Sequence, residues 1–186
     1  SEEKLNNLKM DCDDLQGELL TLTVDLTQKS ERQTLVNMTK ETGGLDVLVN
    51  NAGLLINKKI HAFTEDDFDN IYAVNVKSVF FLVKELIPFF NKNAHIVNIS
   101  SMGGYQGAAK FPGLSLYSSS KGALAVLTEC LAEELKDQSV SVNCLALGAV
   151  QTEMLEEAFP GYEAPLKAEE MAEFIANFSL ESQKFI

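Results

Sequence analysis

Short apolar runs alternate along this chain with stretches in which apolar residues return every three or four positions. The runs at 19–24 (LLTLTV), 46–49 (DVLV), 94–100 (AHIVNIS) and 140–147 (VSVNCLAL) predict strands. Helical spacing predicts helices over 1 to about 15, 28–42, 64–90, from about 117 to 135, and 168–178. Gly43-Gly44 closes the second of these, Thr64-Glu-Asp-Asp67 is an N-cap signature for the third, and Pro88 loosens its last turn. In the fourth, Ala123, Val126, Leu127, Cys130, Leu131 and Leu135 form the stripe expected to face a core. Gly103, Gly104, Gly107, Pro112 and Gly113 mark 101–115 as a loop, and 153–165 reads as irregular or weakly helical. Strand and helix alternate throughout, the order that gives parallel strands joined by crossover helices. The fold class is therefore α/β, a doubly wound parallel sheet in a single domain over 1–186. Ligands in such sheets bind beyond the carboxyl ends of the strands, where this chain puts Asp25, the Asn50-Asn51-Ala52-Gly53 turn, Ser100, Ser101 and the loop after Leu147.

Composition narrows the partners. A formal net charge of −12 argues against nucleic acid or an anionic membrane, both of which need a basic face. No apolar run reaches transmembrane length, and the first residues carry no basic-then-apolar signal pattern. Cys12, Cys130 and Cys144 are too scattered for a disulfide framework or a zinc site, and Cys130 and Cys144 fall in apolar patterns as reduced core residues. His61 and His95 lack the companions of a metal site and are assigned to surface or loop positions, so no metal is expected. The cytoplasm fits these features.

The chemistry centres on Tyr117-Ser-Ser-Ser-Lys121 at the opening of the fourth helix. Residues four apart share a helix face, and an ammonium near a phenol favours the phenolate, so Tyr117 is expected to have a lowered pKa and to exchange protons near neutral pH. Taken alone, a Y-x-x-x-K spacing is mostly an ordinary helix start. Here it follows Asn50-Asn-Ala-Gly53, Asn75 within Val-Asn-Val-Lys-Ser, and Ile99-Ser-Ser101, and precedes Leu147-Gly-Ala-Val-Gln-Thr152. In that order the pieces resemble the short-chain dehydrogenase/reductase family, over about 19–154.

The resemblance implies a Rossmann-like sheet and an NAD(P)-dependent oxidoreductase that interconverts a small-molecule carbonyl and an alcohol. It implies that Tyr117 is the general acid/base and that Lys121 tunes the phenol and holds the nicotinamide ribose. Ser101 would stabilise the substrate oxygen, with Ser100 as second candidate because the loop to Tyr117 is longer than the family's, and Asn75 would hold a water in a proton relay. On the cofactor side it implies Asp25 at the adenine, Asn51, Ala52 and Gly53 along the adenosine and ribose, and Val150 and Thr152 at the carboxamide and phosphates. NAD and NADP stay open, and a homo-oligomer through the two long helices is expected. The family's first strand and Gly-rich turn have no counterpart, since Met102-Gly-Gly-Tyr-Gln-Gly107 runs toward Pro112 and not into a helix. The chain accordingly reads as the interior of such a domain, incomplete at both ends. Two other readings remain: a non-catalytic remnant or interaction subunit of the same fold, and an extended sugar-nucleotide epimerase or dehydratase, against which the Asn-Asn-Ala-Gly turn speaks.

Overall fold

The computed structural model describes residues 2–12 and 16–182. Helices α1 (Glu2–Asp11) and α2 (Lys29–Glu41) precede strand β1 (Leu45–Asn50). The first crossover is one helical run made of α3 (Glu65–Tyr72), a π turn (Ala73–Lys77) and α4 (Ser78–Leu86). It leads to β2 (Phe90–Ser101), and α5 (Ser115–Leu135) then crosses to β3 (Ser141–Leu147). These strands form a parallel sheet in the order β1-β2-β3. Beyond it, β4 (Val150–Gln151) and β5 (Leu166–Lys167) pair as a second, two-stranded parallel sheet around α6 (Glu153–Ala158), and α7 (Ala168–Glu181) closes the described chain.

Side chains alternate between faces along a strand, and in β2 both faces are covered. Ala94 and Ile96 pack with Val79 and Val83 of α4 and with Leu124, Leu131 and Leu135 of α5. His95, one step away, meets α7 instead: its Nδ1 lies 2.9 Å from Ser179 O, its Nε2 2.8 Å from Asn143 Oδ1, and its ring 5.7 Å from that of Phe178. With helices on both sides, every residue of β2 from Ala94 to Ser100 is buried, the signature of a central parallel strand. The Thr64 cap forms as a full capping box with Asp67, as its sequence pattern requires.

Several expectations change. Residues 19–24 form no strand; a strand exists only through a ladder, and nothing among the described residues pairs with this stretch. Asp25 therefore does not end a strand. It opens the turn into α2, its carboxylate accepting from Thr27 N at 2.9 Å and Thr27 Oγ1 at 2.8 Å. The first helix stops at Asp11, and the expected end near Leu15 lies outside the described residues. His95 is fully buried and not on the surface, because each ring nitrogen has a polar partner within the fold; His61 is exposed, as read. On α5 the buried stripe is Ser120, Lys121, Leu124, Thr128, Leu131 and Leu135, while Val126 and Cys130 face outward. Polar residues that are paired inside the protein hide such a stripe from hydropathy.

One ion pair fixes α2 against α4. Arg32 is buried, and its Nε and Nη2 fork onto the Glu85 carboxylate at 3.1 and 3.2 Å, while Nη1 donates to Leu26 O at 2.8 Å. The guanidinium also stands 5.4 Å from the Phe81 ring centroid. Glu85→Ala would strand the guanidinium without a counter-charge, so we expect a loss of about 2–4 kcal/mol in urea-induced unfolding. Arg32→Met, which removes the cation and keeps the stem, should cost less than Glu85→Ala in the same assay.

Candidate active site

The carboxyl end of β1 is held by a buried polar ladder. Asn50 Nδ2 donates to Asn98 Oδ1 at 2.8 Å, Asn98 Nδ2 donates to Thr128 Oγ1 at 2.9 Å, and that hydroxyl donates to Leu124 O at 2.7 Å. The Asn51-Ala52-Gly53 turn leaves the sheet at that point, with Asn51 and Ala52 exposed. A Cβ on Gly53 would stand 3.4 Å from Lys121 Nζ and 3.6 Å from Asn75 Oδ1, so the bare turn brings backbone onto both side chains.

Asn75 sits in the middle of the π turn and is fully buried. The turn is set where Ser78 N–H bonds Ala73 O five residues back, while the Ser78 hydroxyl donates to Val74 O at 2.6 Å. Asn75 Oδ1 accepts from Leu54 N at 2.7 Å, and its Nδ2 donates to Leu54 O at 2.9 Å and to Ser120 Oγ at 2.8 Å. Both amide hydrogens are thus committed within the protein, while Oδ1 keeps a second lone pair beyond its bond to Leu54 N.

Ser100 and Ser101 part company at the end of β2. Ser100 is buried and donates to Lys121 O at 2.8 Å, so its hydroxyl is spent on the backbone of α5. Ser101 Oγ accepts from Gly103 N at 3.2 Å and interacts with the phenol of Tyr117. Burial pushes the Tyr117 pKa above its usual value, and the Ser101 hydroxyl offsets that only in part. This reverses the sequence expectation of a lowered phenol pKa: withdrawal from water outweighs the neighbouring groups. Lys121 Nζ lies 5.8 Å from the Tyr117 ring centroid and donates to Ile99 O at 2.7 Å. Its burial lowers its pKa to about 8, partly countered by Cys144, whose own thiol is pushed up by burial.

Gly53, Asn75, Ser101, Tyr117 and Lys121 are therefore brought together by contacts at the strands' carboxyl ends. A close approach of the turn after β2 to α5 seats them: a Cβ on Gly104 would stand 2.6 Å from both Gly122 N and Lys121 C. The other candidates serve local structure. Asp25 caps the turn before α2, Val150 pairs with Leu166, and Thr152 caps α6 by accepting from Leu155 N at 3.3 Å. Asn98, Ser120 and Thr128 went unnoticed in the sequence, since each finds its partner across the fold and no spacing announces it. An open cleft of about 750 Å³ is lined by Ile60, Tyr105, Phe111 and Leu114, and it meets α5 at Ser118, Ser119 and Gly122, not at Tyr117. Much of the 101–115 loop lines this cleft. Among the described residues no group of three or more His, Cys, Asp or Glu could hold a metal ion, and no helix is long and apolar enough to cross a membrane.

Comparison with known proteins gives a consistent result. The family model described as short chain dehydrogenase matches residues 1–163. A 3-oxoacyl-(acyl-carrier-protein) reductase of Thermotoga maritima is 31% identical over 175 residues, covering 92% of this chain and 68% of that protein. A solved 3-ketoacyl-(acyl-carrier-protein) reductase of Brucella melitensis, complexed with NADH, superposes with a TM-score of 0.85 at 25% identity, covering 100% of this chain and 80% of its own. A short chain dehydrogenase of Burkholderia cenocepacia in complex with NADP gives 0.87 at 25% identity, covering 98% and 78%.

The buried ammonium has a measurable signature. Because the folded pKa of Lys121, about 8, lies below its unfolded value, the unfolded chain binds more protons between those two values. The desolvation penalty is thus fully present below pH 8 and is relieved as pH rises. Urea unfolding at pH 7.5 and 9.5 should show wild type gaining stability relative to Lys121→Met, with a slope of up to ~1.4 kcal/mol per pH unit. Parallel pH curves for the two proteins would show that Lys121 keeps an ordinary pKa.

Proposed function

Since the chain belongs to the short chain dehydrogenase family, we propose that it interconverts a small-molecule carbonyl and an alcohol, with Tyr117 as general acid/base. The observation that carries this reading is the Tyr117 phenol set beside the Ser101 hydroxyl, with the Lys121 ammonium buried next to its ring. A phenol whose pKa burial raises keeps its proton at neutral pH, which suits donation to a carbonyl oxygen in the reducing direction. Ser101 has a hydroxyl hydrogen to offer the same oxygen as negative charge develops there. Ser100, with its hydroxyl committed to Lys121 O, is not assigned that role.

NAD(P) is the cofactor of the family, with relatives solved holding NADH and NADP. The residues present fit such a group. The Lys121 ammonium has three hydrogens and, among the described residues, one protein acceptor, Ile99 O, so a buried cation still needs oxygen partners of the kind that ribose hydroxyls supply. Asn51, Ala52 and Gly53 form the bare turn next to it and would carry the adenosine side. When bound, the nicotinamide supplies or accepts the hydride. Asp25, Val150 and Thr152 remain assigned to the adenine, carboxamide and phosphate ends, Thr152 through the hydrogen of its capping hydroxyl. Asn75 acts through position: it fixes the turn at Leu54 and reaches α5 through Ser120. We assign the protein to the reducing cytoplasm, a reading that unpaired Cys12, Cys130 and Cys144 support, and to a homo-oligomer joined through the exposed faces of the α3–α4 run and α5.

The test is oxidation of NADH and NADPH by a full-length version with a panel of ketones that includes a 3-oxoacyl thioester. Turnover is expected with at least one ketone, and none at all would favour a non-catalytic member of the fold. Tyr117→Phe should lower kcat/KM by about 10²–10⁴-fold while the thermal midpoint and cofactor affinity stay near wild type. Near-normal turnover in that variant would remove Tyr117 from the mechanism.

A further inference from the structure

We propose that Ser120 is a positioning residue for Tyr117: its hydroxyl couples the backbone carbonyl of Tyr117 to Asn75 and, through Asn75, to the turn that follows β1. The inference rests on the acid/base role given to Tyr117 above. Ser120 is fully buried inside α5, where a serine hydroxyl without a partner would be costly. It is fully engaged instead. Ser120 Oγ donates to Tyr117 O at 2.7 Å and accepts from Asn75 Nδ2 at 2.8 Å. Asn75 in turn exchanges two hydrogen bonds with the backbone of Leu54, at 2.7 and 2.9 Å.

The bonds form one chain from the turn after β1, across the π turn, to the residue that carries the phenol. Its direction is fixed by chemistry. Tyr117 O can only accept, so Ser120 must donate there, and its oxygen is then left to receive the Asn75 amide. That order holds the Asn75 amide with Oδ1 toward Leu54 N, close to where a Cβ on Gly53 would stand. The Tyr117 phenol and the Gly53 turn are therefore held in register by a serine that touches neither the reacting group nor the turn itself. Lys121, the next residue, is anchored separately on Ile99 O, so loss of the Ser120 hydroxyl should shift the phenol and leave the ammonium in place.

The experiment is Ser120→Ala in the whole chain, read in two ways. Amide hydrogen exchange of Leu54 should accelerate by about tenfold, since the Asn75 amide loses one of its fixed partners, while the globally protected amides of β2 keep their rates. With the ketone that gives turnover, kcat should fall by about tenfold or more while the KM for the reduced cofactor stays within about twofold. In an Asn75→Ala background the same substitution should change kcat little, because the chain of bonds is already broken. Unchanged Leu54 exchange would overturn the proposal, and so would a kcat loss that multiplies in full with that of Asn75→Ala. Retained turnover in Tyr117→Phe would instead defeat the acid/base reading, and the Leu54 measurement would still decide whether Ser120 couples the two segments.

Discussion

A polar group taken out of water must find a partner, and in this protein that constraint is concentrated at the carboxyl ends of β1 and β2. Lys121 is the most demanding case, an ammonium that is 4% exposed and has one backbone oxygen as acceptor among the described residues. Around it Asn50, Asn75, Asn98, Ser100, Ser120 and Thr128 are all buried, and all are paired with one another or with backbone. Several of these pairings join elements distant in sequence. Asn50 and Asn98 tie β1 to β2, Thr128 and Ser100 tie β2 to α5, and Asn75 with Ser120 ties the first crossover to the second. The groups that make the site polar are the ones that tie its elements together.

The architecture was legible where one element declares itself. The apolar runs at 46–49, 94–100 and 140–147 fall on β1, β2 and β3, and the Thr64 and Asp67 pattern falls on the cap of α3. What failed depended on a partner. Residues 19–24 have the composition of a strand, but composition supplies no ladder. On α5, Thr128 and Lys121 occupy the core face because Asn98 and Ile99 satisfy them there, so a count of apolar residues turns the stripe toward Val126 and Cys130. His95 is hidden by the same logic, its two polar partners lying in α7 and β3.

The site residues show the same division. The order of the motifs picks out Asn75, Ser101, Tyr117 and Lys121 as candidates, and contacts bring these together with Gly53. Their electrostatics could not be read from spacing. A one-turn separation suggested that Lys121 would lower the phenol pKa, yet burial moves both groups toward their neutral forms: the phenol goes up and the ammonium goes down to about 8. Spacing gives the pair a common face; depth decides how they titrate.

The π turn at Ala73–Lys77 carries a consequence for anyone who would improve this protein. In geometric terms a π turn is an α-helix with one extra residue squeezed into a single turn, and it is tolerated where something else holds it. Here the Ser78 hydroxyl takes Val74 O and the Asn75 amide takes Leu54. Removing one residue between 73 and 77, or recasting the run for maximal helix propensity, would yield a smoother and longer helix. Relative to the core contacts of Val79 and Val83, Asn75 would then swing by about 100°, the rotation of one residue in an α-helix. A stabilised descendant could keep its strands, helices and core, melt later, and have lost its site.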